Sequence, residues 1–446
     1  MRCRRNIFAL LLAASMLHAA ALDTDTERFF SGPRSADIKL PADQIYPKGR
    51  LFPFSFYSTG GGSDARRGEL LPEAERLAEQ DRILKHGATL VGPQYELNDI
   101  SRKEASKYGF KLIYSICPEL DGKVVKREFF HALAKNNQTF DEEKMSRAIA
   151  EKVRNAAPCK EIAWWDITPE ELRHWMPEEV RYLKLARKVI QENDPLKRPV
   201  FMYEPGHRDA AALAKLLPYQ DLSVKGTYLN YSGMKQQRIW ARHSMEQQME
   251  AIRLAGLPQI VPIALPEMFQ QPKEEERKWI PRWVRHDVYA MLAAGAKGVV
   301  VFSASRRPDF SAREDYLKAY LDVCRELNGP LNLGQVFLFG KPRRDLELTI
   351  LEGPKELVLK QRRMEKKYPS VSMANLSYDG ARYVLLVNSS EQPVKAIVSG
   401  LVYGSGVTVK SLLDQSGEFT APEGDFDVEL KGLEAVLFKL FNKLEK

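Results

Sequence analysis

Between Leu51 and Leu327 the chain alternates short apolar runs with longer stretches of helical periodicity, and this alternation constrains the fold more than any other feature. A strand followed by an amphipathic helix is the repeating unit of a parallel sheet covered by helices. Eight such pairs can be counted. The strand candidates are LFPFSFY from Leu51, ATLVG from Ala88, KLIYSIC from Lys111, EIAWWDI from Glu161, PVFMYE from Pro199, LSVKGTYL from Leu222, QIVPIAL from Gln259 and KGVVVFSA from Lys297.

Eight strand–helix units predict a closed (β/α)8 barrel. The run VVVF in the eighth candidate is apolar throughout, as expected of a strand buried on both faces. A doubly wound open sheet typically has roughly five or six units and carries a G-x-G-x-x-G phosphate loop after its first strand. Gly60-Gly61-Gly62 follows the first strand here but lacks that spacing, so we expect a flexible loop on the active face.

After Gly329-Pro330 the pattern changes to strands separated by turn residues. This pattern is typical of an all-β module. We therefore predict a barrel over residues 45–330 and a C-terminal β-sandwich over residues 331–446, meeting across an apolar interface near Leu331 to Phe339. The strand candidates are QVFLFG, LELTIL, ARYVLLVN, AIVSGLVY and AVLFKLF.

The first residues have the pattern of an export signal. Three arginines, Arg2, Arg4 and Arg5, precede an apolar run from Ile7 to Leu17, and the small residues Ala19 to Ala21 follow. The apolar run is shorter than the roughly 20 residues that span a bilayer, although an uncleaved anchor stays an alternative. We predict a signal peptide over residues 1–21 and an exported protein, periplasmic or extracellular, with no membrane attachment after cleavage.

Composition argues against several classes of function. The net charge is +8, and about +5 without residues 1–21, which is too mild and too scattered to indicate a nucleic-acid partner. Of the four cysteines, Cys3 lies in the predicted signal peptide. The other three, Cys117, Cys159 and Cys324, match no metal-binding spacing, and an odd number forms no complete disulfide framework, so we interpret them as core residues. No H-E-x-x-H or G-x-S-x-G motif occurs. We expect no metal and no cofactor.

Carboxylates follow four of the predicted strands. In a barrel of this kind, the reactive groups lie at the carboxyl ends of the strands. Strand 3 ends at Glu119, strand 4 in WWDITPEE, strand 5 at Glu204 and strand 7 at Glu267. Cleavage of a glycosidic bond requires one carboxylic acid and one carboxylate, and the windows after strands 4 and 7 offer the best pair.

The stretch WWDITPEE, followed by a helix and NDPLKRPVFMYEPG, resembles the fourth-to-fifth-strand region of retaining barrel glycoside hydrolases. The segment YVLLVNSSEQPVKAIVSGL resembles the sandwich that often follows such barrels. The resemblance implies a hydrolase of poly- or oligosaccharides with an acid/base glutamate after strand 4 and a nucleophile after strand 7. These roles correspond to Glu170 and Glu267. The sequence departs from the family's Asn-Glu pair, since Pro169 precedes Glu170.

The acids after strand 4 also have other interpretations. Thr168-Pro169-Glu170-Glu171 fits a capping box in which Thr168 is the N-cap and Glu171 bonds back to it. A second Pro-Glu-Glu at Pro177 predicts another helix start. The acid/base could then be Glu170, Glu171 or, if the strand directs it into the barrel mouth, Asp166.

Aromatic and polar residues gather at the predicted strand ends. Sugar rings stack on aromatic faces, and their hydroxyl groups need polar partners, although barrel cores also favour aromatic residues. An alternative to hydrolysis is therefore a catalytically silent barrel that binds glycan in the same clefts. The candidate substrate-binding residues are Tyr57, Tyr95, Trp164, Trp165, Asp166, Tyr203, Glu204, Tyr228 and Asn230.

Overall fold

The computed structural model describes residues 52–57, 72–95, 111–361, 364–401, 406–413, 417–421 and 424–442. The predicted signal peptide, the Gly60–Gly62 loop and the helix expected after the second strand lie outside these ranges. Each of the eight predicted barrel strands overlaps an observed strand. They are β1 (Phe54–Phe56), β2 (Leu90–Gln94), β3 (Lys111–Ile116), β4 (Ile162–Ile167), β5 (Val200–Phe201, continued by Tyr203–Glu204), β6 (Leu222–Thr227), β7 (Val261–Pro266) and β8 (Val299–Val301).

The eight strands form a closed parallel barrel in chain order. β1 pairs with β8 in the register Phe54 with Val299. The seam between β1 and β2 is joined by the Thr89 amide, which donates to the Phe54 carbonyl at 3.1 Å. β5 is interrupted at Met202, so that its first half pairs with β4 and its second half with β6. The (β/α)8 prediction is thereby confirmed.

A buried cluster drawn from seven of the strands, and from Tyr57 directly after β1, fills the inside of the barrel. It includes Ile113 of β3, Trp164 of β4, Val224 of β6 and Val300 of β8. Residues whose side chains point to the other side of a strand, such as Trp165 on β4, belong instead to clusters shared with the surrounding helices. This alternation decides which side chains at the strand ends can reach the barrel mouth.

Helices surround the barrel and bury the faces that their periodicity predicts. In the helix after β4, Leu183, Ala186, Val189 and Ile190 are all buried. The helices are α1 (Glu73–Lys85), α2 (Arg127–Lys135), α3 (Glu142–Ala156), α4 (Pro177–Asn193), α5 (Ala210–Ala214), α6 (Trp240–Ala255), α7 (Ile280–Ala293), α8 (Arg313–Asn328) and α9 (Leu333–Phe339), with 3-10 turns at Leu217–Tyr219 and Glu274–Trp279.

The C-terminal region is a β-sandwich. Its strands are β9 (Lys341–Pro342), β10 (Glu347–Glu352), β11 (Glu356–Gln361), β12 (Met364–Pro369), β13 (Val371–Tyr378), β14 (Ala381–Asn388), β15 (Val394–Ser399), β16 (Val407–Ser411), β17 (Glu418–Ala421), β18 (Phe426–Leu430) and β19 (Ala435–Asn442). A six-stranded antiparallel sheet, in the order β9-β13-β14-β19-β16-β17, packs on a three-stranded sheet β10-β15-β18, and β11 and β12 form a separate hairpin. Val384 and Leu386 of β14 meet Ala396 and Val398 of β15 in the core between the sheets.

One strand prediction in this region is wrong. QVFLFG lies in α9 rather than in a strand. The helix is buried on several faces, because Leu333, Val336 and Phe337 share one apolar cluster with barrel residues and with Leu385 of the sandwich. A fully apolar short run does not distinguish a buried strand from a buried helix by periodicity alone. The apolar interface expected near this segment is present.

Polar contacts also join the barrel to the sandwich. His286 on α7 lies between Asp287 and Ser389, with its Nδ1 2.8 Å from Asp287 Oδ1 and its Nε2 3.0 Å from Ser389 Oγ. Arg238 binds the same Asp287 carboxylate with two of its nitrogens. All four residues are buried. Because the guanidinium neutralises Asp287 and the serine is covered, this chain of groups connects the two parts of the protein instead of forming a hydrolytic triad.

None of the helices in the described ranges is long and apolar enough to cross a membrane.

Candidate active site

Four aromatic rings form the floor of the barrel mouth. Tyr57 follows β1, Tyr203 lies in β5, Tyr228 follows β6 and Phe302 follows β8. The ring centroid of Phe302 lies 5.1 Å from Tyr57, 5.6 Å from Tyr228 and 6.4 Å from Tyr203. All three tyrosines belong to the cluster inside the barrel. Their phenol groups therefore continue the barrel core toward the carboxyl ends of the strands.

Gly226 makes room for two of these tyrosines. A Cβ atom at this position would lie 2.7 Å from the Tyr203 hydroxyl oxygen and 3.1 Å from the nearest carbon of the Tyr228 ring. Approaches below 3.0 Å essentially never occur for real Cβ atoms. The two phenols can therefore lie side by side in the mouth because β6 carries no side chain between them.

Asp166, at the end of β4, is the buried carboxylate of this mouth. Asp166 lies two residues after Trp164, so its side chain points to the same side of β4, the inside of the barrel. It pairs in register with Ser115 of β3, and the Ser115 hydroxyl donates to Asp166 Oδ2 at 2.6 Å. Burial, and then the nearby charge of Glu170, raise the pKa of Asp166 well above its usual range. Its Oδ1 and the Tyr57 hydroxyl are both buried and have no hydrogen-bond partner among the described residues. The strand therefore does direct Asp166 into the barrel mouth.

Glu170 lies above Asp166 and is only half-buried. It lines a cleft of about 540 Å³ at the ends of β3 and β4, together with Tyr95, Cys117 and Thr168. The Tyr95 hydroxyl is 3.5 Å from Glu170 Oε1, which is a weak hydrogen bond at most. Burial, Asp166 and then Glu170 raise the pKa of Tyr57 well above 10. Asp166, Glu170 and Tyr57 thus form one electrostatic unit.

The capping box predicted at Thr168 is wrong. Residues 168–176 form a loop, and α4 begins only at Pro177, where the second Pro-Glu-Glu predicts a start. The Glu171 amide donates to the Tyr203 carbonyl at 3.1 Å, so the chain crosses toward β5 instead of coiling. The Glu171 side chain does not return to Thr168 but pairs with Arg127 at 2.8 Å. Tertiary contacts here override a favourable local pattern.

Glu267, after β7, lies beside the β6–α6 loop (residues 228–239). Its carboxylate accepts the amides of Asn230 and Tyr231, the latter at 3.2 Å. Burial, only partly offset by these two hydrogen bonds, raises the pKa of Glu267 to about 7. The Asn230 side-chain amide donates to the Tyr316 hydroxyl at 3.1 Å. The Glu267 carboxylate is thus engaged with the protein itself, whereas Asn230 Oδ1 is buried and has no hydrogen-bond partner among the described residues. The charges of Glu170 and Glu267 both act on Tyr228.

Two further candidates lie between the barrel and its helices. Glu204 is fully buried, in register with Lys225, whose ammonium group reaches Ser244 on α6. Glu204 is bound by Arg208 and by Gln220, the latter at 3.0 Å, and burial raises its pKa to about 7. Glu204 and Trp165 are predicted to bind substrate, which requires their side chains to reach the barrel mouth. In the structure both side chains lie between the barrel strands and the surrounding helices.

Trp164 and Trp165 divide between the two sides of β4. The Trp164 ring is inside the barrel, two residues below Asp166 and without exposed surface to offer a sugar. The Trp165 ring nitrogen donates to Asp194 at 2.8 Å, and the Arg198 guanidinium lies 5.0 Å from the ring centroid. These contacts fix β4 against α4 and support Asp166 from below.

Sequence reasoning missed several residues that shape the mouth. Ser115 and Phe302 are at strand ends but belong to no catalytic motif, and Gly226 looked like an ordinary strand residue. Because alternate residues of a strand point to opposite sides, counting every second residue along β3 and β8 would have placed Ser115 and Phe302 inside the barrel. Within the described ranges no group of three or more His, Cys, Asp or Glu side chains is arranged to hold a metal ion.

Comparisons with known proteins support the architecture. No protein-family model matches the sequence. No curated protein matches it either. Three similar solved structures are α-amylases from Geobacillus thermoleovorans, Anoxybacillus and H. orenii, the first in complex with acarbose. They have 12%, 10% and 11% sequence identity, each with a TM-score of 0.53, and cover 88%, 88% and 89% of this chain and 98%, 98% and 99% of their own. The chain therefore shares with these α-amylases a fold in which a (β/α)8 barrel precedes a β domain.

Proposed function

We propose that the protein is an exported glycoside hydrolase that cleaves a poly- or oligosaccharide with Asp166 and Glu170. The observation that carries the proposal is the coupled pair at the end of β4. Asp166 keeps one oxygen without a hydrogen-bond partner among the described residues, and Glu170 lines the cleft above it. A buried polar atom without a partner is costly unless something else binds it, which is expected where a ligand supplies the missing contact.

The pair suits acid–base chemistry because like charges in a buried site cannot both ionise easily. Two such carboxylates hold one proton between them over a pH range in which an isolated carboxylic acid has lost it. In the proposed reaction the proton that burial favours on Asp166 first passes to Glu170. Glu170 then protonates the departing glycosidic oxygen while the Asp166 carboxylate attacks the anomeric carbon. Water, deprotonated by Glu170, then hydrolyses the glycosyl–Asp166 ester. This course retains the configuration at the anomeric carbon.

The pair expected from sequence, Glu170 with Glu267, is less well supported. Both Glu267 oxygens accept backbone amides, whereas Asp166 has an oxygen available. We therefore assign Glu267 the task of holding the β6–α6 loop in place. That loop carries Tyr231, which is 69% exposed and stacks near Phe269, with 5.7 Å between the ring centroids.

A carbohydrate substrate fits the surroundings of the pair. Tyr95, 41% exposed, and the exposed Tyr231 offer flat apolar faces, which the C–H faces of a sugar can cover, while Glu170 supplies a polar group. The fold is shared with α-amylases, one of them bound to acarbose. The N-terminal pattern of Arg2 to Ala21 is consistent with export.

The test is a hydrolysis screen of the purified protein without residues 1–21 against aryl glycosides and soluble polysaccharides. We expect at least one substrate to be cleaved, and we expect the double variant Asp166→Asn/Glu170→Gln to lose that activity. Glu192→Gln is the control, because Glu192 is an exposed carboxylate on α4 that does not line the cleft. Equal activity of the double variant and the control would refute the assignment.

A catalytically silent glycan-binding barrel is the second candidate. Asp166 has no exposed surface, which favours a role in shaping the mouth over contact with substrate. This alternative predicts retention of the protein by a polysaccharide without any release of reducing ends. Release of reducing ends by the wild type alone, and not by the double variant, would exclude it.

A further inference from the structure

A second cleft, of about 300 Å³, lies between the barrel and the sandwich. Residues of the β6–α6 loop, of the 3-10 turn before α7 and of a sandwich turn close it from three sides. Its walls include Lys235 and Gln236 from the first of these, Glu276 and Trp279 from the second, and Leu433 from the third. No residue of the Asp166–Glu170 site lines it.

Trp279 is the exposed aromatic surface of this cleft. Its side chain is 40% exposed, whereas Trp283 beside it is nearly covered. The Arg282 guanidinium lies 5.1 Å from the Trp279 ring centroid and donates to the Gly432 carbonyl of the sandwich at 3.3 Å. The ring is thus held in place by a contact between the two parts of the protein. A ring fixed before binding loses little freedom when a ligand stacks on it.

The charges of the cleft are balanced. Lys235 pairs with Glu276, and the lining also holds one further cation, Arg282, and one further carboxylate, Glu391. Lys235 Nζ in turn lies 5.2 Å from the centroid of the Trp283 ring. Lys278 Nζ lies 5.7 Å from the Trp279 ring centroid but does not line the cleft. The lining itself therefore offers several hydrogen-bonding groups around an aromatic surface without excess charge. It therefore suits a neutral sugar better than a uronate or a sulfated one.

The cleft opens on the same end of the barrel as the proposed active site. Both contributing barrel loops follow strands at their carboxyl ends, and the β6–α6 loop also carries the exposed Tyr231 beside the mouth. The ring centroids of Tyr231 and Tyr228 are 6.4 Å apart, so this loop connects the floor of the mouth with the cleft.

We propose that the cleft around Trp279 is a second carbohydrate-binding site, which takes a neutral polysaccharide chain. The sugar ring stacks on Trp279, and its hydroxyl groups meet Gln236 and Glu391. The choice of a carbohydrate ligand rests on the proposed hydrolase function. The second site implies that the substrate is a chain long enough to extend beyond Asp166 and Glu170. It also gives the sandwich a direct part in binding through its turn at Gly432 and Leu433.

The test is affinity electrophoresis in gels containing soluble starch, xylan, galactomannan or polygalacturonate, with every protein carrying the Asp166→Asn/Glu170→Gln change so that nothing is cleaved. At least one neutral polysaccharide should retard the parent, and Trp279→Ala should weaken that retardation about tenfold, as expected for removal of an aromatic anchor. Trp279→Phe should retain part of the retardation. Trp175→Ala is the control, because Trp175 is also exposed, at 60%, but does not line the cleft.

The outcomes separate this proposal from the proposed function. Absence of retardation by every neutral polysaccharide, equal loss in Trp175→Ala, or unchanged retardation in Trp279→Ala overturns the second site, while hydrolysis by the wild type still stands. Conversely, loss of retardation in Trp279→Ala from a protein whose wild type cleaves no substrate supports the second site and refutes the hydrolase. Retardation by polygalacturonate alone overturns the assignment of a neutral ligand.

Discussion

The packing of the mouth predicts that Gly226→Ala lowers the free energy of unfolding. Most of this loss should arise from contact with one atom, the Tyr203 hydroxyl oxygen. The new Cβ would lie 2.7 Å from the Tyr203 hydroxyl oxygen, so this contact must open by about 0.7 Å to reach ordinary van der Waals distance. The Tyr228 ring, at 3.1 Å, must move by about 0.3 Å. Overpacking of this kind typically costs about 1–3 kcal/mol, and the displaced phenols would alter the floor of the mouth.

The assay is a double-mutant cycle on the free energy of unfolding in urea, with Tyr203→Phe as the partner change. Removal of the hydroxyl eliminates the 2.7 Å contact, whereas the contacts with the Tyr228 ring, at 3.1 and 3.2 Å, stay. The cost of Gly226→Ala should therefore fall to about 1 kcal/mol or less in the Tyr203→Phe background. An equal cost in both backgrounds would show that the hydroxyl does not lie over Gly226, and the described mouth would be wrong.

Three further predictions concern stability. Arg238→Met should lower the free energy of unfolding by about 3–5 kcal/mol in urea denaturation, because it leaves the buried Asp287 carboxylate without its guanidinium partner; a loss below about 1 kcal/mol would contradict this. Phe337→Ala should cost about 3–5 kcal/mol by the same measurement, since its ring fills the interface of barrel and sandwich, and a near-neutral effect would mean that α9 does not pack there. Burial lowers the pKa of Lys225 to about 7, below its unfolded value, so from pH 7.5 to 10 the unfolded state binds more protons and stability should rise with pH. Lys225→Met should remove this rise, and identical slopes for both proteins would refute the burial of an uncharged lysine.

The barrel could be predicted from sequence because its signal is repeated. Each apolar run had to supply a strand buried on both faces, so an error of one or two residues at an end did not change the architecture. The segment at Gln335 had no such repetition. Its apolar residues fit either a strand or a helix, and contacts on several faces, available only in the folded protein, selected the helix.

The site was less predictable because successive side chains of a strand point to opposite sides, so an error of one residue reverses the orientation. Trp164 and Asp166 face inward, while Trp165 between them faces the helices, and the sequence alone does not fix which parity is inside. In β5 the interruption at Met202 separates two pairings, and Glu204 ends in the outer layer. Likewise, the helix start proposed at Thr168 depended on local pattern, and the bond from the Glu171 amide to Tyr203 decided against it.

The most direct test of the Asp166–Glu170 assignment is to measure kcat/KM of single variants on a cleaved glycoside series with good and poor leaving groups. Asp166→Asn should lose about 1,000-fold or more on every member, because each needs the attacking carboxylate. Glu170→Gln should lose activity mainly on poor leaving groups, which alone depend on protonation. Glu267→Gln loosens the β6–α6 loop, because one oxygen that accepts an amide is replaced by a nitrogen, but it removes no reacting group and should lose far less activity than Asp166→Asn on every member. A fully active Asp166→Asn beside an inactive Glu267→Gln would contradict the account and return the nucleophile to the end of β7.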